Sequence, residues 1–135
     1  MFEVSVDETF SAGHALRGYK GKCENPHGHN YKVRLTVQGP QLDSIGLLFD
    51  FVHLKQVLHA VINEMDHKYL NDQAPFIELN PSAENIAKYL YDEVSRGLKE
   101  MSASTAASSL GEQNAPRITS VTVWETDITS ATYHP

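Results

Sequence analysis

From His27 to Val37 every second residue is an imidazole, an aromatic or an aliphatic: His27, His29, Tyr31, Val33, Leu35 and Val37. Gly28, Asn30, Lys32, Arg34 and Thr36 stand between them. A strand sends successive side chains to opposite faces, so this alternation demands one apolar and one polar face. The apolar face needs a core to cover it, and its leading end carries two imidazoles towards that core. A polar group buried without a partner is costly. Whatever the chain folds into must therefore supply partners to His27 and His29, and a metal ion satisfies both at once. Gly28 between them leaves room for backbone or a substrate to come close.

A second alternating stretch, residues 2 to 10, puts Phe2, Val4 and Val6 on one face and Glu3, Ser5 and Asp7 on the other. His14 keeps the parity of the apolar set. Gly13, Gly18, Gly21 and Pro26 mark a loop before the strand at 29 to 38, which Gly39-Pro40 ends. If the two strands pair antiparallel, the end of the first lies beside the start of the second. His14 then meets His27 and His29. Three neutral imidazoles with one open position make a catalytic zinc arrangement, whereas a fourth protein ligand makes a structural site. Cys23 is at hand as that fourth ligand, and three ordinary histidines are the plainer alternative.

The rest of the chain supplies the covering layer. Leu54, Val57, Leu58, Val61, Ile62 and Met65 follow the spacing of one buried helical stripe. Pro75 and Pro81 bracket a loop. A second helix starts near Ser82, an N-cap residue type, with Glu84 in its first turn where the dipole favours an acid. Its stripe is Ile86, Leu90, Val94, Leu98 and Met101. Residues 102 to 116 are small and polar and read as a flexible loop within a single domain spanning 1 to 135. A strand at 117 to 126 and a short one near 131 to 133 close the order. Strands and helices in separate runs predict an α+β fold, two helices on one face of an antiparallel sheet.

Composition narrows the function classes. The chain has 135 residues and a formal charge of −6, which argues against nucleic acid as a partner. No apolar run approaches the roughly 18 residues a membrane span needs. Residues 2 to 10 alternate instead of forming an apolar block, so no signal peptide is read there and a cytoplasmic location is expected. A single cysteine rules out an intrachain disulfide.

Other polar residues invite chemistry. Cys23 lies four residues before His27, near Lys20 and Lys22, where a thiol is easily made a thiolate base or nucleophile; a buried structural thiol is the alternative. Asp66 and His67 end the first helix and can both be presented to a pocket, His being the usual proton carrier near neutrality. Glu125 shares the parity of Val121 and Val123 and should point inward, where a ligand with two adjacent N–H groups would satisfy it. Arg17, Lys20 and Lys22 form a basic cluster suited to phosphate. His53, His59 and His134 have no such context.

Taken together, C-E-N-P-H-G-H at 23 to 29, F-S-A-G-H at 10 to 14, D-H-K-Y-L-N-D at 66 to 72, N-P-S-A-E-N at 80 to 85 and W-E-T at 124 to 126 resemble the 6-pyruvoyl-tetrahydropterin synthase / 6-carboxytetrahydropterin synthase family over nearly the whole chain. The resemblance implies the tunnelling fold (T-fold), in which subunits join sheets into a trimeric barrel and two trimers stack as a hexamer. It implies active sites at subunit interfaces and 7,8-dihydroneopterin triphosphate as substrate. His14, His27 and His29 would be ligands of Zn2+, and Cys23 the general base. Asp66 and His67 would complete a proton relay from a neighbouring subunit. Glu125 would anchor the pterin, supported by Glu84, although Ser82 and Ala83 stand where the family often has Thr.

The product is expected from the same stretch. The gap of three residues between Cys23 and His27 resembles the bacterial enzymes of queuosine biosynthesis, which form 6-carboxy-5,6,7,8-tetrahydropterin and release acetaldehyde and triphosphate. Glu24 also makes the stretch read E-x-x-H-G-H, a pattern of members that cleave the side chain to 6-hydroxymethyl-7,8-dihydropterin for folate synthesis. The 6-pyruvoyl product is a further alternative, and a zinc-stabilised binding module the non-catalytic one.

Overall fold

The computed structural model describes residues 1–104 and 114–135. Strand β1 (Phe2–His14) pairs antiparallel with β2 (His27–Gly39), and helix α1 (Phe51–Met65) follows. A two-residue strand β3 (Lys68–Tyr69), helix α2 (Ala83–Ser104), β4 (Arg117–Thr126) and β5 (Thr129–Tyr133) complete the fold. The sheet order is β3-β1-β2-β4-β5. Every neighbouring pair is antiparallel except β3 with β1, which is parallel. The fold is α+β as expected, with both helices against the sheet's apolar face.

Alternation fixes which face that is. In β2, Tyr31, Val33, Leu35 and Val37 are buried, while Arg34 is exposed. Across the pair, Val6 and Phe10 lie opposite Leu35 and Tyr31, and the Phe10 and Tyr31 rings stack at 4.8 Å. Val121 and Val123 of β4 extend the layer. Phe2 departs from its expected place: it stands at the first position of β1 and is 47% exposed. On the other face Arg34 donates two bonds to Asp7, at 2.7 and 2.9 Å.

Both helices form where their stripes place them. The Asp50 carboxylate accepts the Val52 N–H at 2.8 Å and starts α1, satisfying a donor the helix itself leaves free. Leu54, Val57, Leu58, Ile62 and Met65 then bury, with Val61 half-buried beside them. At α2 the Ser82 hydroxyl accepts the Asn85 N–H at 3.2 Å, so Ser82 is the N-cap. Ile86, Leu90 and Val94 are fully buried, and Leu98 and Met101 pack at the core's margin. The helix runs on through 102–104, the first residues of the expected loop. Most of that loop, 105–113, lies outside the described residues.

Strand β3 was not legible, because two residues offer no alternation. It occupies the outer edge of β1 at Ala12 and Gly13, next to the histidine end of the sheet. Among the described residues no helix is long and apolar enough to cross a membrane.

Leu35 is fully buried at the centre of the sheet. Leu35→Ala should lower stability by about 2–5 kcal/mol, the range for a large aliphatic lost from a packed core. Urea unfolding should show a lower midpoint with an unchanged slope.

Candidate metal centre

The register of β1 against β2 sets His14 opposite His27 and Ala12 opposite His29. All three imidazoles therefore leave the sheet on its apolar side. Their ring centroids are 4.5, 4.9 and 5.0 Å apart and the rings stand steeply to one another. One nitrogen from each lies within 4.8 Å of the others.

The backbone decides which nitrogen that is. His14 Nδ1 meets the Pro81 carbonyl at 2.7 Å, and His27 Nδ1 meets the Asn25 carbonyl at 2.7 Å. A carbonyl only accepts, so each Nδ1 carries the proton and each Nε2 presents a lone pair. His14 Nε2 and His29 Nε2 are buried with no hydrogen-bond partner in the protein. Burial also pushes the His14 and His29 imidazoles below their ordinary pKa, against the opposing pull of the Glu125 carboxylate. Two imidazoles disfavoured as cations by burial, two fixed tautomers and two orphaned nitrogens fit a transition-metal ion, and carbonyl-anchored imidazoles are the usual outer support of such sites. The triad can hold a metal ion. Cys23 is not part of this cluster.

Glu125 comes to the same place. It follows the buried Val121 and Val123 in parity and falls where the β4–β5 register shifts between Trp124 and Thr126. Bulges of this kind re-aim side chains near functional sites. Its carboxylate stands 4.0 Å from His14 Nε2 and its side chain is partly exposed. Arg117, a cation on the same strand that could otherwise answer this carboxylate, lies at the opposite end of β4. The Tyr31 hydroxyl lies beneath the imidazoles, fully buried and without a protein partner. That burial, and the nearby Glu125 charge, hold the phenol strongly to its neutral form.

Asp66 and His67 sit round the edge of the sheet. Asp66 closes α1, its N–H donating to the Ile62 carbonyl at 2.9 Å. Its carboxylate accepts the Ser11 N–H at 2.9 Å and faces His67 Nδ1 at 3.0 Å. The His67 N–H donates back to the Ser11 carbonyl at 2.6 Å. His67 has φ 59°, a left-handed conformation that a side chain with a Cβ adopts at a cost. Its side chain is 81% exposed. With Ser11, Gly13, Gly28, His29, Lys68 and Tyr69 it borders a shallow depression of about 480 Å³. The dyad is formed, but within one chain no direct bond from it to the three histidines is among the described contacts.

The remaining expectations sort by position. Cys23 and Glu24 share a short 3-10 turn (Lys22–Glu24), with Cys23 half-buried and Glu24 exposed. The Cys23 carbonyl accepts the Leu16 N–H at 2.9 Å, which ties the loop back to the end of β1. Glu84 is exposed in the first turn of α2. Arg17 is spent on structure, its guanidinium donating to the carbonyls of Phe76, Leu79 and Asn71 at 2.7, 3.4 and 3.4 Å. Arg17, Lys20 and Lys22 are all exposed residues. Within the chain a Cβ on Gly28 would meet the Ala12 carbonyl oxygen at an ordinary 3.6 Å, whereas one on Gly13 would press the Tyr69 ring at 3.3 Å. The Pro81 and Asn25 carbonyls and the Tyr31 hydroxyl had no sequence signal, since a carbonyl belongs to every residue and an alternating Tyr reads as core.

Comparison with known proteins adds a family to this geometry. A family model for 6-pyruvoyl tetrahydropterin synthase matches residues 3–135. The 6-carboxy-5,6,7,8-tetrahydropterin synthase of Bacillus subtilis is 34% identical over 139 residues, spanning 99% of this chain and 86% of that protein. The 6-pyruvoyl tetrahydrobiopterin synthase of Drosophila melanogaster is 36% identical over 107 residues, 69% of this chain and 64% of that protein. The structure of Caenorhabditis elegans 6-pyruvoyl tetrahydropterin synthase superposes with a TM-score of 0.76 at 25% identity, over 99% of this chain and 95% of that one.

His29→Ala should lower affinity for a divalent transition metal by more than roughly 100-fold while the sheet still folds, because imidazole ligation supplies the binding. Chelator competition with circular dichroism checks both halves. The Ser11 N–H is the main influence holding the Asp66 carboxyl below its ordinary value. A depressed folded-state pKa means the hook's contribution is complete above the unfolded value of about 3.9 and is lost as pH falls through the folded value. The Ser11 amide resonance should follow that titration in the native chain and lose it in Asp66→Asn.

Proposed function

This chain belongs to the 6-pyruvoyl tetrahydropterin synthase family, enzymes of the lyase class with the tunnelling fold, and on that premise we propose that it converts 7,8-dihydroneopterin triphosphate to 6-carboxy-5,6,7,8-tetrahydropterin. Water enters the reaction, and acetaldehyde and triphosphate leave. The observation that carries this reading is the convergence of three imidazoles, two with Nδ1 fixed by a carbonyl, beside the Glu125 carboxylate at 4.0 Å.

The metal is proposed to be Zn2+, held by His14, His27 and His29. Three nitrogen ligands with a position left open are what a catalytic zinc needs. Bound there, it supplies Lewis acidity towards oxygens of the substrate side chain. The chain's own groups do the rest. Glu125 accepts two N–H bonds from the pterin ring and fixes its orientation. Its carboxylate sits on the same side as the imidazoles, so an anchored ring places its side chain towards the metal. Glu84 supports that pocket from the first turn of α2, which is joined to His14 through Pro81.

Cys23 is proposed as the base that takes protons from the substrate side chain, with the Asp66–His67 pair passing a proton on the opposite side. The contrast within one turn favours Cys23 over Glu24: Cys23 is half-buried against the protein and Glu24 faces solvent. Asp66 holds the imidazole by its 3.0 Å contact and accepts the Ser11 N–H, so His67 is oriented before any substrate arrives. Because the dyad is exposed at the sheet edge, a second copy of the chain is proposed to bring its own dyad to this chain's histidines. A trimer, or a hexamer built from two trimers, follows from that reading. A cytoplasmic role in making a precursor of queuosine is the biological corollary.

Zinc-loaded protein incubated with 7,8-dihydroneopterin triphosphate should yield a 6-carboxy pterin and acetaldehyde by mass spectrometry. A 6-hydroxymethyl pterin would move the assignment to Glu24 and folate synthesis, and a 6-pyruvoyl pterin to the animal-type reaction. Cys23→Ala should keep one zinc per chain and lose turnover by at least ~100-fold, the scale of a missing acid–base group. Loss of the metal in that variant would make Cys23 a ligand and overturn the catalytic reading.

A further inference from the structure

β1 ends at His14, yet its outer edge continues to be paired. Along that edge the backbone groups of alternate residues face the same way. Ser11 is bonded by Asp66 and His67, and Gly13 lies beside Tyr69 of β3. Among the described residues no strand pairs with this edge beyond β3, and two asparagine side chains take its place. The Asn71 carboxamide accepts the Ala15 N–H and donates to the Ala15 carbonyl, both at 2.9 Å. The Asn80 carboxamide does the same for Arg17, again at 2.9 Å each way. A carboxamide has the donor and acceptor of a peptide group, so each asparagine acts as one rung of a missing strand.

This edge flanks His14 on both sides. Ala15 follows it directly, and Asn80 directly precedes Pro81, whose carbonyl takes the His14 Nδ1 proton at 2.7 Å. Asn85 Nδ2 donates to the Asn80 carbonyl at 2.9 Å, tying the rung to the first turn of α2. The Arg17 guanidinium closes the other side on the carbonyls of Phe76, Leu79 and Asn71. The His14 backbone and the carbonyl that sets its tautomer thus belong to segments 67 residues apart, held to each other by carboxamides.

We infer that Asn71 and Asn80 are positioning residues of the metal centre, pairing with Ala15 and Arg17 so that His14 presents Nε2 as a preorganised ligand. The inference rests on His14 being a metal ligand. Without the Asn80 rung the Pro81 carbonyl is free to shift, the tautomer of His14 is no longer imposed, and metal binding must first restore it. Outer partners of ligating histidines characteristically matter by 10–100-fold in metal affinity.

Two measurements on Asn80→Ala test this. Zinc affinity by chelator competition should fall about 10–100-fold relative to wild type. In the metal-free protein at mildly alkaline pH, ¹⁵N spectra should show His14 as the Nδ1–H tautomer in the wild type and as a mixture in the variant. Asn80→Asp, which keeps the acceptor for the Arg17 N–H and loses the donor, should fall between the two. Val94→Ala loosens the core without touching this edge and should leave affinity and tautomer as they are. An Asn80→Ala protein that folds with unaltered affinity and tautomer overturns the inference, as does an equal loss in Val94→Ala. If Asn80→Ala does not fold, Asn85→Ala, which removes only the bond to the Asn80 carbonyl, takes its place: a loss of affinity with a mixed tautomer supports the clamp, and wild-type values of both overturn it. Should the wild-type chain bind no zinc, the metal reading fails, while the His14 tautomer in the metal-free proteins still decides whether the clamp operates.

Discussion

The antiparallel register of β1 on β2 is the constraint on which the rest depends. Pairing His14 with His27 and Phe2 with Gly39 puts three imidazoles at one end of a buried face and the β2 core residues behind them. A one-residue slip would turn every β1 side chain to the opposite face. It would carry Phe10 and Val6 out of the core and His14 away from His27 and His29. The packing that stabilises the sheet therefore also sets the site, because the same parity runs through both.

Burying three imidazoles is expensive unless each polar nitrogen is answered. The structure answers two Nδ1 atoms with backbone carbonyls, from Pro81 and Asn25. Two Nε2 atoms stay buried and unpaired in the protein alone. Each such group costs about 1–3 kcal/mol, so the site is destabilised in a way that a bound cation relieves. Tyr31 adds a third orphan just below. The fold tolerates this cost because the layers beneath, Phe10, Val33, Leu35 and Leu54 among them, are closely packed.

The second half of the chemistry is arranged on the sheet's outer edge. Ser11 gives its N–H to Asp66 and its carbonyl to the His67 N–H, so one residue of β1 fixes both members of the dyad. His67 is held in a left-handed conformation where glycine would be easier. The strain is consistent with a requirement for the imidazole itself at that turn. From Ser11 to Arg17 the same edge carries Asp66, β3, Asn71 and Asn80 in succession. Short edges closed by side chains leave little free backbone for unintended pairing.

How much was legible in the sequence depends on how local the cause is. Parity along β1, β2 and β4 is a property of neighbouring residues, and it alone predicted the core face, the meeting of His14 with His27 and His29, and the inward turn of Glu125. The spacing of Leu54 to Met65 and the cap at Ser82 likewise declared the helices. Tertiary structure alone decided what crosses long stretches of chain. It tied the Arg17 guanidinium to three carbonyls, set the Tyr69 ring close against Gly13, and made loop asparagines into rungs beside β1. It also chose the His14 tautomer through a carbonyl 67 residues away. Side-chain type and spacing are written in the order of residues, but hydrogen bonds to backbone depend on which segments the packing brings within about 3 Å, and no local pattern encodes that.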